Sequence, residues 1–114
     1  MNIAPWQVWW VDFGEPVGRE QGYLRPGIVV GSELHCRFPI DMALMIPLTT
    51  RDRRLRHHIR ISSPQSGLNK PGWAKTDDIR AMSTERFRNR TPTGVLSPSE
   101  QEEVSRWVHR MLAK

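Results

Sequence analysis

The sequence predicts a small fold that is mainly β with some α: a barrel or sandwich of short strands, followed by one C-terminal helix. Three observations lead to this fold class. Eight glycines and nine prolines are spread along the 114 residues and divide the chain into short segments. Several of these segments are rich in aromatic and β-branched residues, as strands are. Only the last segment has a clear helical period. A chain of this length is expected to form one domain, residues 1–114.

Two strands are predicted within the first 32 residues. The first covers residues 6–13, and its side chains alternate between two faces. The apolar face consists of Trp9, Val11 and Phe13, and the mixed face of Val8, Trp10 and Asp12. We expect the apolar face to point into the core. Residues 14–24 contain three glycines and a proline and predict a loop, and residues 26–32 predict the second strand.

Shorter elements are predicted in the middle of the chain. The run 42–48 is almost entirely apolar, which indicates a buried strand with Pro47 at its end or at an irregularity. The other expectations, in chain order, are a turn region at 31–39, a charged connection at 51–60 leading into a short strand near 58–62, a loop at 64–72, one strand at 73–82, a helical turn at 84–88 and a short strand at 94–96.

The C-terminal helix has the clearest signature. Ser97 is a good N-cap, Pro98 suits the first helical position, and Glu100 completes a capping box. The apolar residues recur at helical spacing: Val104, Trp107, Val108, Met111 and Leu112. This stripe is expected to pack on the barrel, and a partner's groove is the alternative.

The composition suggests an anionic partner. Lysine and arginine total 17 against 12 acidic residues, a net charge of +5. Five arginines and one aspartate lie within residues 51–60, where contact with RNA or DNA competes with a merely solvated basic loop. The one cysteine, Cys36, favours a reducing compartment and reads as a small, half-buried residue. No apolar run could span a bilayer and no signal peptide is evident, so we expect a cytoplasmic protein without membrane contact.

Neither a metal nor another cofactor is expected. His57 and His58 are adjacent, but neighbouring residues of a strand point to opposite faces, and no carboxylates cluster near them in the sequence. His35 and His109 are remote. The sequence therefore predicts that the two adjacent histidines do not serve one metal site.

Two polar side chains at strand ends could bind phosphate. Pro26 restrains Arg25 to an extended backbone, and a guanidinium presents five donors that suit phosphate oxygens. Thr49 follows the buried apolar run and could donate a hydroxyl hydrogen. The alternatives are a surface ion pair between Arg25 and Glu20, and a Thr49 that merely caps a loop.

The order of these segments resembles the PemK/MazF family of toxin endoribonucleases. The resemblance is carried by residues 7–13, by Glu20-Gln21-Gly22 with Arg25-Pro26, by Pro47-Leu48-Thr49-Thr50, and by residues 78–83 and 85–87. It implies an SH3-like small β-barrel of the CcdB/PemK type with a C-terminal helix, usually a homodimer. It also implies cleavage of single-stranded RNA without a metal, which leaves a 2′,3′-cyclic phosphate and a 5′-hydroxyl, and a cognate antitoxin that covers the RNA groove.

The resemblance assigns roles to individual residues. The family's catalytic arginine and threonine correspond to Arg25 and Thr49, and Glu20 and Gln21 correspond to the loop that shapes the site. Candidate RNA-binding residues, from the resemblance and from the basic and aromatic residues together, are Glu20, Gln21, Tyr23, Thr50, Arg51, Arg53, Arg54, Arg56, Trp73, Asp78 and Arg80. Tyr23 and Trp73 could stack on bases or pack in the core.

Two departures from the family pattern bear on base preference. Arg19 stands where the family often has serine, and Asp78 stands where it often has glutamine. Two other functions remain open at this point: a gyrase-poisoning toxin of the same fold, and a barrel that binds single-stranded nucleic acid without cleaving it.

Overall fold

The fold is one curled antiparallel sheet with a long C-terminal helix. The computed structural model describes residues 2–15, 17–18 and 23–113. The elements are β1 (Gln7–Asp12), β2 (Leu24–Val29), α1 (Glu33–Cys36), β3 (Met42–Thr49), β4 (His58–Ile61), β5 (Gly72–Lys75), β6 (Arg80–Ser83), β7 (Gly94–Val95) and α2 (Pro98–Met111). The strand order is β4-β5-β3-β2-β1-β7, with β6 also on β3. The predicted class, mainly β with α, is confirmed.

Strand β3 has two partners along one edge. Its first half pairs with β6 and its end pairs with β5. The β5 register alone would place Asp77 opposite Met45, but Arg80 lies there instead, so the chain inserts three extra residues between the two ladders. The prediction of one strand over 73–82 is therefore wrong, because residues 76–79 leave the sheet as a turn, which we call the β5–β6 excursion. Pro47 stays within β3, between the β6 and β5 pairings.

The sheet buries side chains on both faces. The predicted apolar face of β1 is confirmed, since Trp9, Val11 and Phe13 pack in one core cluster. Val8, which we expected on the mixed face, is also fully buried, because it packs in a second cluster. Val104 of α2 belongs to that second cluster, and Trp107 and Val108 pack against it. Helix α2 therefore covers the second face of the sheet, which in many antiparallel sheets is exposed to solvent.

Helix α2 begins as the sequence predicts. Ser97 accepts from the backbone N–H of Glu100, and the Glu100 carboxylate accepts from that of Ser97. The same carboxylate also accepts from the backbone N–H groups of Ser62 and Ser63 and from the Ser63 hydroxyl. One side chain therefore joins the helix cap to the segment that follows β4. The stripe packs on the core through Val104, Trp107 and Val108, whereas its end, Met111 and Leu112, is exposed.

Three smaller details differ from or add to the expectations. Strand β2 begins at Leu24 rather than 26, because Leu24 and Arg25 still pair with β1. The turn region 31–39 contains the single-turn helix α1, capped by the Ser32 hydroxyl. Cys36 is half-buried as expected, and burial, followed by the nearby Glu33, raises the pKa of its thiol.

Among the described residues, no helix has the length and apolar character needed to cross a bilayer.

Candidate active site

Arg25 and Thr49 lie at neighbouring ends of two paired strands. Gly27 of β2 pairs with Pro47 of β3. Continuing that antiparallel register by two residues places Arg25 opposite Thr49, on the same face of the sheet. On its other edge, β2 pairs with β1, and there Arg25 lies opposite Val11. The sheet therefore brings together two residues that are 24 positions apart in the sequence.

Both side chains line one cavity of about 230 Å³. Its floor is formed by the ends of β2 and β3, and its rim by the loop before β5. The described residues that line it are Trp10, Arg25, Pro26, Leu48, Thr49, Thr50, Leu68, Asn69, Lys70, Pro71 and Gly72. Two of these are cations and none is a carboxylate, so the cavity favours an anion.

Arg25 and Thr49 differ in how they are held. Thr49 is buried, and its Oγ1 accepts from the backbone N–H of Arg51 at 3.2 Å, so the hydroxyl hydrogen remains available to a ligand. The Nε of Arg25 is buried and has no hydrogen-bond partner in the part of the chain that the structure describes. A buried donor without a partner costs free energy, and a phosphate oxygen would satisfy it.

Three lining residues were missed by the sequence reasoning. Trp10 was assigned only to the mixed face of β1, and Asn69 and Lys70 only to a loop. Trp10 is half-buried at the cavity, where an aromatic face could stack on a base. Lys70 adds the second cation. The strand alternation did place Trp10 away from the apolar face, but nothing in the sequence indicated that the 62–71 segment folds over the strand ends.

Asp78 and Arg80 bind each other. The Arg80 Nε lies 2.7 Å from Asp78 Oδ1, and its Nη2 lies 2.9 Å from Oδ2, a bidentate ion pair. Lys75 Nζ lies 3.7 Å from the same carboxylate, and the Arg80 guanidinium lies over the Phe13 ring. Neither Asp78 nor Arg80 lines the cavity. Their proposed contact with RNA would have to occur outside it.

The other candidate RNA-binding residues are spread around this region. Thr50 lines the cavity, whereas Tyr23 and Trp73 do not. Tyr23 is exposed at the end of the β1–β2 hairpin with a positive φ of 59°, and Trp73 is half-buried opposite Thr49 in β5. The arginines of the β3–β4 connection are exposed: Arg51, Arg53, Arg54 and Arg56. Glu20 and Gln21 lie outside the described residues.

A group of side chains next to this region contradicts one expectation. His57 lies in the turn before β4 rather than on the strand, so its ring contacts that of His58 edge to face, with centroids 4.7 Å apart. His57 Nε2 also lies 3.3 Å from Asp77 Oδ1. The two histidines would point to opposite faces only if both lay on a strand, and because His57 lies before β4 this condition is not met. Burial, followed by the charge of His57, lowers the pKa of His58.

Comparisons with known proteins identify the family. The family described as PemK-like, MazF-like toxin of type II toxin-antitoxin system matches residues 4–112. The endoribonuclease toxin MazF of Escherichia coli K12 is 25% identical over 103 residues, which cover 90% of this chain and 87% of that protein.

Solved structures share the fold at lower identity. MazF of Deinococcus radiodurans has a TM-score of 0.81 at 16% identity, over 97% of this chain and 96% of that one. A mycobacterial endoribonuclease in complex with its cognate antitoxin has a TM-score of 0.77 at 16% identity, over 96% and 93% of the two chains.

Proposed function

Because the chain belongs to the PemK-like, MazF-like family of toxins of type II toxin-antitoxin systems, we propose that it is an endoribonuclease that cleaves single-stranded RNA at preferred short sequences. One observation carries the proposal: Arg25 and Thr49 line the same carboxylate-free cavity, with Lys70 as a second cation. The similarity to the MazF endoribonuclease supports the same class of activity.

The proposed reaction needs no metal. The 2′-hydroxyl of the RNA attacks the adjacent phosphorus, the bond to the 5′-oxygen breaks, and the products are a 2′,3′-cyclic phosphate and a 5′-hydroxyl. The phosphorane between them carries additional negative charge. Arg25 stabilises that charge, since fixed donors aimed at developing charge are usually the largest catalytic contribution. Thr49 adds a hydroxyl donor in the same cavity.

The proton transfers divide between two groups. The departing 5′-oxygen gains a proton and the 2′-hydroxyl loses one. We propose that Arg25, which lines the cavity, donates the proton to the 5′-oxygen and regains it from solvent. Arginine stays protonated in proteins, so it is a poor base. No histidine or carboxylate lies among the described lining residues of the cavity. We propose Glu20, or no strong base, for the 2′-hydroxyl.

A digest of mixed-sequence single-stranded RNA in EDTA tests this function. We expect discrete fragments with 2′,3′-cyclic phosphate and 5′-hydroxyl ends, since the positive cavity supplies the charge that a metal would otherwise provide. Mapping the fragment ends gives the base preference. Retention of RNA without cleavage would instead identify a non-catalytic binding barrel, and breaks in supercoiled DNA with gyrase would identify a gyrase poison. Either result would contradict the proposal.

Two protein partners belong to the same proposal. A cognate antitoxin is expected to cover the cavity, and acidic residues would complement its charge. A homodimer is expected from the family, and light scattering on the purified chain would measure its mass. The cytoplasm, where single-stranded messenger RNA is accessible, is the proposed location.

A further inference from the structure

We propose that His57, His58 and Asp77 form a binding site for a transition-metal ion such as Zn²⁺, separate from the RNA-cleaving cavity. One ring nitrogen of each histidine and one carboxylate oxygen of Asp77 lie within 4.8 Å of one another. None of the three lines the cavity that holds Arg25 and Thr49. The inference goes beyond the proposed ribonuclease activity and does not depend on it.

The backbone brings the three ligands together from two segments. His57 and His58 stand at the start of β4, and Asp77 belongs to the β5–β6 excursion. The neighbouring Thr76 is fully buried, and its hydroxyl donates to the His57 carbonyl at 2.7 Å. His58 pairs with Lys75, the last residue before the excursion. The two segments are therefore held in place next to the site by contacts that do not involve the ligand atoms.

The spacing of the ligand atoms is close to that of a bound metal. Zinc–nitrogen and zinc–oxygen bonds of about 2.0–2.2 Å place tetrahedral ligand atoms roughly 3.5 Å apart. His57 Nε2 and Asp77 Oδ1 are already 3.3 Å apart. The full set lies within 4.8 Å, so small side-chain rotations would be needed to bring all three ligand atoms to that spacing. Water would fill the remaining coordination positions.

A buried ring nitrogen of His58 without a hydrogen-bond partner in the described part of the chain supports the proposed metal site. His58 is 8% exposed, and its Nδ1 has no hydrogen-bond partner among the described residues. A buried imidazole nitrogen is ordinarily bonded, so this one needs an explanation. A metal ion bound at Nδ1 would be the missing partner.

The ligand types select the class of metal. Two imidazoles and one carboxylate suit Zn²⁺, Ni²⁺, Co²⁺ or Cu²⁺, whereas Mg²⁺ and Ca²⁺ require mostly oxygen ligands. Arg53 and Lys75 lie near enough to act on His58 electrostatically, and their positive charge weakens the affinity for any cation. We therefore expect binding in the micromolar range rather than the much tighter binding of a structural zinc finger.

Titration of the untagged full chain with ZnCl₂ in a calorimeter tests the site. We expect one Zn²⁺ per chain and no measurable binding of Mg²⁺. His57→Ala and Asp77→Ala should each weaken binding by about tenfold or more, because each removes a ligand. His109→Ala is the matched control, since this exposed histidine lies on α2, away from the site. The Co²⁺-loaded protein should show visible d–d absorption bands that both ligand variants lose.

Three results would overturn the proposal: no saturable binding, binding that His109→Ala weakens as much as His57→Ala does, or Mg²⁺ binding as strong as that of Zn²⁺. Circular dichroism of each variant shows whether it is folded before titration. RNA cleavage in EDTA is the independent readout of the proposed function. Its presence or absence does not change the conclusion about metal binding.

Discussion

At the residue scale, the position of Arg25 depends on its backbone as much as on its guanidinium. Arg25 is still within β2, paired with Val11, and Pro26 follows it. The side chain therefore starts from a fixed, extended backbone, and its Nε is buried without a described partner. Preorganised donors of this kind lose little entropy when they meet developing charge.

Replacing Arg25 should abolish most of the activity while leaving the fold intact. We expect Arg25→Ala to lower the cleavage rate by about 10² or more, the order seen when one donor to developing negative charge is lost. RNA binding should weaken only modestly. Single-turnover cleavage and binding of the same RNA separate the two effects. Arg90→Ala, at an exposed position away from the cavity, should cleave normally. Near wild-type turnover in Arg25→Ala would show that the site is assigned incorrectly.

The hydroxyl of Thr49 gives a paired test. Thr49→Val keeps the shape of the side chain but removes the donor, so cleavage should slow, whereas Thr49→Ser should retain most of the rate. Cleavage rates of the two variants at saturating RNA measure the difference. If Thr49→Val cleaves normally while Thr49→Ser is slowed, the methyl group and its packing matter rather than the hydroxyl.

At the element scale, hydrogen bonds to Glu100 connect α2 to the segment that follows β4. Its carboxylate accepts hydrogen bonds from the N-cap and from Ser62 and Ser63. Burial alone would raise the pKa of Glu100, but the hydrogen bonds from Ser63, Ser97 and Ser62 together lower it. The ionised form is thus the one that the folded protein stabilises.

The stability contributed by Glu100 should therefore depend on pH in one direction. Its pKa in the folded state lies below the ordinary value of 4.5, so the contribution is complete above that value and is lost as the pH falls through the folded-state pKa. We expect Glu100→Gln to lower the free energy of unfolding by about 1–3 kcal/mol at pH 7, with a smaller loss at pH 3.

Urea unfolding at both pH values measures this effect. Glu103→Gln, on the exposed side of the same helix, is the matched control and should change little at either pH. An equal loss for Glu100→Gln at pH 3 and pH 7 would show that the charge of this residue is not what stabilises the cap.

The elements differ in how far the sequence could predict them. Helix α2 was predicted with its capping box because every contact in that motif lies within four residues of Ser97. The split between β5 and β6 was not, because the alternating apolar and charged residues on either side of 76–79 also fit one continuous strand. Only the pairing of both segments with β3 reveals the three inserted residues.

At the scale of the whole molecule, a run of exposed arginines follows the cavity along the chain. Arg51, Arg53, Arg54 and Arg56 are exposed in the connection that leaves the cavity at Thr50, and Arg25 and Lys70 lie inside it. Binding of RNA to such a surface releases counterions from the phosphates, so the affinity depends on salt.

Neutralising the connection should reduce this salt dependence. We expect each of the four arginines that contacts a phosphate to contribute about 0.7 to the slope of log affinity against log salt concentration. The variant with all four changed to glutamine should show a correspondingly shallower slope. Fluorescence anisotropy with 2′-O-methylated RNA, which cannot be cleaved, measures binding alone. Changing Arg106 and Arg110 of α2 to glutamine is the control, and an equal effect there would indicate diffuse attraction to the whole surface.

The site itself could be predicted only in part. Arg25 and Thr49 were identified from their strand-end positions and from a family pattern, and both line the same cavity. Trp10, Asn69 and Lys70 were missed because their position depends on a loop that folds over the strand ends. The grouping of His57 with Asp77 was missed for a related reason, since it depends on where two turns meet.

The double pairing of β3 also sets where this chain can change length over evolution. β5 and β6 meet the same strand end to end, so the residues between them act as a spacer of fixed size. An insertion or deletion there would slide one ladder against the other and turn its core residues outward. The exposed β3–β4 connection carries no such constraint. Homologous chains should therefore vary in length at 50–57 and keep a constant length at 76–79.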